Sequence, residues 1–115
     1  MKPAQLRKLF ARDLHCWHCG DDRAEYLVPH HRKGRGMGGR KSLDTLQNVI
    51  LICARWNGQL EANAQAAALG RQYGQKLEQW QDTAEPVYDA AQGLWFLLSE
   101  SGDKYPIEEE IWNTN

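Results

Sequence analysis

No stretch of this sequence approaches the roughly 20 consecutive apolar residues that a membrane-spanning helix needs, and residues 1–10 are amphipathic rather than a signal-peptide core. No membrane partner and a cytoplasmic location are therefore expected. Cysteine is scarce, with three residues, an odd number. Two of them stand in Cys16-Trp17-His18-Cys19, a spacing that suits a metal or structural knuckle in a reducing compartment better than a disulfide framework. Internal repeats and low-complexity linkers are absent, and the formal net charge is only -1. With 42% hydrophobic and 25% charged residues, the composition is that of an ordinary folded domain rather than a disordered chain. One domain spanning residues 1–115 is the expectation, and at this length a modest core forms without covalent staples.

The charge that is present is unevenly placed. Residues 1–41 contain ten Lys or Arg and four Asp or Glu, whereas residues 42–115 contain four and eleven. Such asymmetry suggests that the first third faces a polyanion, a solvated charged face being the alternative. Arg32, Lys33, Arg35, Arg40 and Lys41 are interleaved with Gly34, Gly36, Gly38 and Gly39, which predicts a loop. Glycine lets a backbone approach a phosphate closely while the cations neutralise it. An ordinary flexible basic loop has the same composition.

Pro3 followed by Leu6, Leu9, Phe10 and Leu14 predicts a short helix docked by one face. Residues 16–20 read as a tight knuckle, 24–29 as a short strand closed by Pro29, and 48–53 (Asn-Val-Ile-Leu-Ile-Cys) as a buried strand. The alanine-rich segment from about Arg55 to Gln72 has strong helix propensity, with Gly74 as a stop. Beyond it, 76–80, 86–88 and 94–98 read as short strands, the last two joined by a turn over 89–93, and Glu108 to Glu110 begin an acidic end. The expected class is α+β, with the C-terminal third packed on the rest.

Four pieces then stand in order: His30 and His31 closing a strand, the basic glycine loop, Asn48 opening a second strand, and Asn57 with Glu61 at the start of a helix. Singly, a His pair belongs to surface or core, and Asn48 and Asn57 cap turns and helices. In this order, the run Tyr-Leu-Val-Pro-His-His-Arg over 26–32, Arg-Gly-Met-Gly-Gly over 35–39, Asn-Val-Ile-Leu-Ile-Cys over 48–53 and Asn57 resemble the HNH endonucleases. The chain is most similar to the small versions carried by bacteriophages, and the resemblance covers Cys16 to about Asn63.

That resemblance implies a ββα-metal (His-Me finger) core within residues 1–74, preceded by an N-terminal helix, and a β-rich extension with an acidic tail over 75–115. It implies a metal-dependent DNA endonuclease acting in the cytoplasm of the host cell if phage-encoded. His30 would be a metal ligand, His31 the general base, and Asn48 the residue that holds the loop so that the His31 ring points correctly. Asn57 stands where the family's last His ligates the metal, as in the HNN form. Glu61 lies one helical turn beyond Asn57 and could address the same ion. Arg32, Lys33, Arg35, Arg40 and Lys41 become candidate DNA contacts. The alternative is a catalytically inactive protein of this fold that binds nucleic acid or a host protein.

The residue types suit the chemistry. An imidazole with an ordinary pKa of about 6.5 is largely neutral at cellular pH and can take a proton from water. One His, one amide oxygen and one carboxylate favour Mg or Mn ions over tightly held zinc. Many HNH relatives grip a structural zinc with two Cys-x-x-Cys pairs. Here Cys16 and Cys19 supply one pair, while Cys53 has Trp56 where its partner would stand. His15 or His18 could complete a zinc site, but a cluster of free thiols around Trp17 and Trp56 is the preferred reading, because structural zinc sites are nearly always four-coordinate.

Overall fold

The structure, a computed structural model, describes residues 1–34 and 43–108. Three helices and two small antiparallel sheets are described: α1 (Pro3–Asp13), β1 (Leu27–His31), β2 (Val49–Cys53), α2 (Ala54–Ala62), α3 (Ala64–Gln72), β3 (Val87–Asp89), β4 (Leu94–Leu98) and β5 (Lys104–Ile107). The class is α+β, as the sequence suggests. None of the helices among the described residues is long and apolar enough to cross a membrane.

Helix α1 starts on Pro3, whose fixed φ suits a first turn, and ends where Leu14 takes a left-handed φ of 65°. Besides Leu9, buried in the same core as β2, polar groups join the two. Asp13, fully buried, accepts the Leu51 backbone N–H at 2.9 Å. Beside it Arg12 pairs with Asp13 at 2.6 Å and donates to the Val49 carbonyl at 2.7 Å. Inside a protein such a pair is tolerated only because every donor and acceptor finds a partner.

Strands β1 and β2 pair antiparallel, with Leu27 opposite Cys53 and His31 opposite Val49. All five residues of β2 are buried, whereas β1 is buried only at Leu27. The ladder therefore has a covered strand and a strand that can present side chains. Leu9, Trp17, Leu46, Ile50, Ile52, Leu60, Val87 and Phe96 share one core, and Trp17 meets Phe96 edge-on with ring centroids 5.5 Å apart.

The helical segment expected over 55–72 is two helices. Asn63 ends α2 and caps α3, its side chain accepting the backbone N–H groups of Gln65 and Ala66 at 2.9 and 3.0 Å. Nor do residues 76–80 form a strand: only an isolated bridge between Leu77 and Lys33 is made, and Trp80 is 82% exposed. The strands expected at 86–88 and 94–98 pair over Val87–Phe96 to Asp89–Leu94, and β5 completes that sheet.

Between the two sheets lies Arg32, 1% exposed. Its guanidinium donates to the carbonyls of Gln47, Gly74, Thr83, Glu85 and Pro86. Gly74 fits this seam for two reasons: its φ is +71°, and a Cβ there would sit 2.2 Å from the Pro86 carbonyl oxygen.

Candidate functional site

The ββα stretch from β1 to α2 frames a cleft of about 480 Å³ that His30, His31, Asn57, Glu61, Lys76 and Glu78 help to line. His30 projects from β1 opposite Ile50. Its Nε2 lies 2.7 Å from the Gln75 carbonyl, and Asn57 lines the same cleft. A backbone carbonyl accepts, so Nε2 carries the hydrogen and Nδ1 keeps the lone pair. Burial holds the His30 pKa below its ordinary value despite the opposing Gln75 contact, keeping the imidazole neutral. A neutral ring whose second N–H is fixed by a carbonyl is the usual state of a metal-binding histidine.

His31, the next residue, has its Nε2 2.5 Å from Asp44 Oδ1, and both side chains are partly exposed. Asn48 is fully buried. Its Oδ1 accepts the Lys33 N–H at 2.8 Å, and its Nδ2 donates to the Lys33 and Leu43 carbonyls, each at 3.0 Å. One amide thus ties together the two chain segments that flank the glycine-rich loop.

The expected basic surface is differently placed. Arg32 is a correction: its donors are taken up by five main-chain carbonyls, so it faces the interior and has none to offer a phosphate. Lys33 donates Nζ to the Gln81 carbonyl at 2.9 Å. Arg35, Arg40 and Lys41 lie outside the described residues.

At the other end of the β1–β2 ladder, the sulfurs of Cys16, Cys19 and Cys53 lie within 4.8 Å of one another, close enough to hold one metal ion. They are the only group of three or more His, Cys, Asp or Glu donors among the described residues so arranged; His30 and Glu61 share a cleft without forming such a group. Backbone N–H groups converge on the sulfurs. Cys16 Sγ accepts from His18 at 3.3 Å and Cys19 at 3.5 Å, and Cys53 Sγ accepts from Trp56 at 3.3 Å. Burial pushes the Cys16 thiol up to about 11. For Cys19 burial acts the same way, but the Asp21 backbone and the hydrogen bonds with Cys16 and Cys53 outweigh it and bring the pKa below its ordinary value.

Neither histidine weighed as a fourth ligand belongs to this group. His15 faces Asp89 at 2.7 Å, and His18 stacks flat on Trp56 with centroids 3.6 Å apart. Trp56 fills the place of the missing cysteine with a packed indole whose Nε1 donates to Gln75 Oε1 at 2.9 Å.

Two participants escape sequence reasoning. Gln75 follows the glycine expected to stop a helix, and Asp44 stands thirteen residues beyond His31 without any periodic signal. An acid four residues before Asn48 is the only sequence hint of the latter. Compared with models of known families, with curated proteins and with solved structures, the chain matches none.

Proposed function

We propose that this protein is a metal-dependent endonuclease of the HNH type, in its HNN form, acting on DNA through a ββα-metal core over β1, β2 and α2. The observation that supports it is the convergence of His30, His31, Asn57 and Glu61 on one cleft, with Asn48 bracing the intervening loop. His30 Nδ1, the Asn57 amide oxygen and the Glu61 carboxylate would hold one Mg or Mn ion. When bound, the ion stabilises negative charge on the phosphate and the leaving oxygen. His31 takes a proton from water, the water oxygen bonds to phosphorus, and the bond from phosphorus to one deoxyribose oxygen breaks. That oxygen leaves with the electron pair and is protonated from solvent. Arg35, Arg40 and Lys41, with Lys33, would contact the backbone.

The test is supercoiled-plasmid cleavage with millimolar Mg or Mn ions. The parent should nick or cut, and His31→Ala should retain fold and metal affinity while losing about a hundredfold or more in rate. An equally active His31→Ala protein would remove the general-base assignment.

Three thiolates converging with N–H donors on their sulfurs would also hold a thiophilic ion such as zinc, with solvent as the fourth ligand. A second reading keeps the fold but not catalysis. It is favoured by an apolar groove of about 620 Å³ flanked by Pro86, Leu97, Pro106 and Ile107, a surface suited to a host protein. A parent inert with every metal, but active once Asn57→His restores the family's ligand, would establish that reading.

A further inference from the structure

The geometry points to Asp44 as the positioning residue of His31, holding its imidazole in the Nε2–H tautomer so that Nδ1 is the nitrogen that receives the proton of the attacking water. The inference rests on the nuclease reading above.

Three observations carry it. The Asp44 carboxylate lies 2.5 Å from His31 Nε2, and an ionised carboxylate only accepts, so the ring must donate there. A neutral imidazole that donates from Nε2 has its one lone pair on Nδ1.

Asp44 is also held in place by the surrounding structure. Its own carbonyl accepts Gln5 Nε2 from α1 at 3.1 Å. On either side, the Leu43 carbonyl accepts Asn48 Nδ2 at 3.0 Å and the Thr45 carbonyl accepts the N–H groups of Asn48 and Val49 at 3.0 and 3.1 Å. The buried Asn48 thus fixes the segment bearing the carboxylate and ties it to Lys33.

Finally, the His31 backbone is fixed by its pairing opposite Val49, which leaves ring orientation and tautomer as the free variables. A carboxylate at this distance settles both. It also faces the positive charge that forms when Nδ1 takes the proton, as the Asp of a Ser-His-Asp triad does without itself accepting it.

Asp44→Asn keeps the shape but presents an N–H₂ that can donate to Nε2, which should drive the hydrogen to Nδ1. The tautomer is read by nitrogen-15 NMR of the histidine rings at a pH where they are neutral, with the His31 signals assigned by their absence from His31→Ala. The parent should show a protonated Nε2 and a bare Nδ1, and Asp44→Asn the reverse. In plasmid cleavage with Mn ions, Asp44→Asn should lose about a hundredfold in kcat with KM within about threefold, and should add no further loss to His31→Ala.

A parental ring with its hydrogen on Nδ1, or an Asp44→Asn ring with the parental pattern, overturns the inference. So does a loss that is as large in the His31→Ala background, since it would be structural. If Asp44→Asn fails to fold, Asp44→Ala decides: averaged ring signals support the role, and the parental pattern refutes it. Should the parent cleave nothing, the nuclease reading falls by itself, while the ring signals still decide whether Asp44 sets the His31 tautomer.

Discussion

The two ends of the β1–β2 ladder carry different kinds of donor, and their surroundings differ with them. At the Leu27–Cys53 end, three sulfurs crowd together and main-chain N–H groups point at them. At the His31–Val49 end, imidazole, amide and carboxylate groups line an open cleft beside a loop. The first arrangement joins one local turn, residues 16–19, to the end of β2, where Cys53 lies 34 residues from Cys19. The second draws on β1, α2, the Asp44 segment and Gln75, so it depends on long-range packing being right. A cluster of the first kind adds rigidity, whereas one of the second kind can exchange solvent and substrate.

Arg32 gives the sharpest way to break this contrast, because it follows His31 at the cleft end and ties that end to the 74 and 83–86 segments. Arg32→Ala would leave several buried carbonyls without donors and should cost about 3 kcal/mol or more of unfolding free energy. The cysteine cluster, remote from Arg32 along the ladder, should keep its thiol chemistry at temperatures where the variant is still folded. Denaturant unfolding measures the loss, and a change within 0.5 kcal/mol, the usual range for a surface residue, would return Arg32 to the surface.

An intermediate effect is expected from metal. If the three sulfurs share an ion, zinc or cadmium at about a hundred times its dissociation constant should add about 2.7 kcal/mol of stability. Cys16→Ser should remove that gain, and cadmium should give a thiolate absorption band in the parent only. No shift in melting temperature with either metal, and no band, would leave the cluster as free thiols.

The smallest effect separates the cysteines from one another. Thiolate is the reactive form, so Cys19, exposed and with its pKa lowered, should be alkylated by iodoacetamide near neutral pH, while Cys16, buried and raised to about 11, should lag. Raising the pH increases the thiolate fraction of each, so the gap should narrow as pH approaches 11. Mass spectrometry of the digest gives the order, and equal rates at neutral pH would contradict these environments.

Much of the fold is legible from local pattern. Val49 to Cys53 is apolar at every position and is buried at every position; Pro3 opens α1 where a proline is tolerated. Asn63, which caps α3, lies inside an alanine-rich run, and propensity summed over that run conceals the break. The 76–80 segment misleads because Leu77 and Trp80 supply apolar character without a neighbouring strand to pair with. Arg32 misleads for a related reason. Sequence places it in a basic run, and nothing local says that five carbonyls from distant segments will converge on one guanidinium.

What the sequence determined by itself is the inventory and its order: the His pair, the glycine-rich basic loop, Asn48, then Asn57 and Glu61 a helical turn apart, with the cysteines at knuckle spacing. Those are statements about neighbours along the chain, governed by turn chemistry and helix period. Only the tertiary structure decided that Asp44 meets His31, that Gln75 meets His30 and that Arg32 points inward. Each of these contacts closes a separation of 13 to 54 residues, and which groups meet across such a distance is set by how the whole core packs rather than by any local preference.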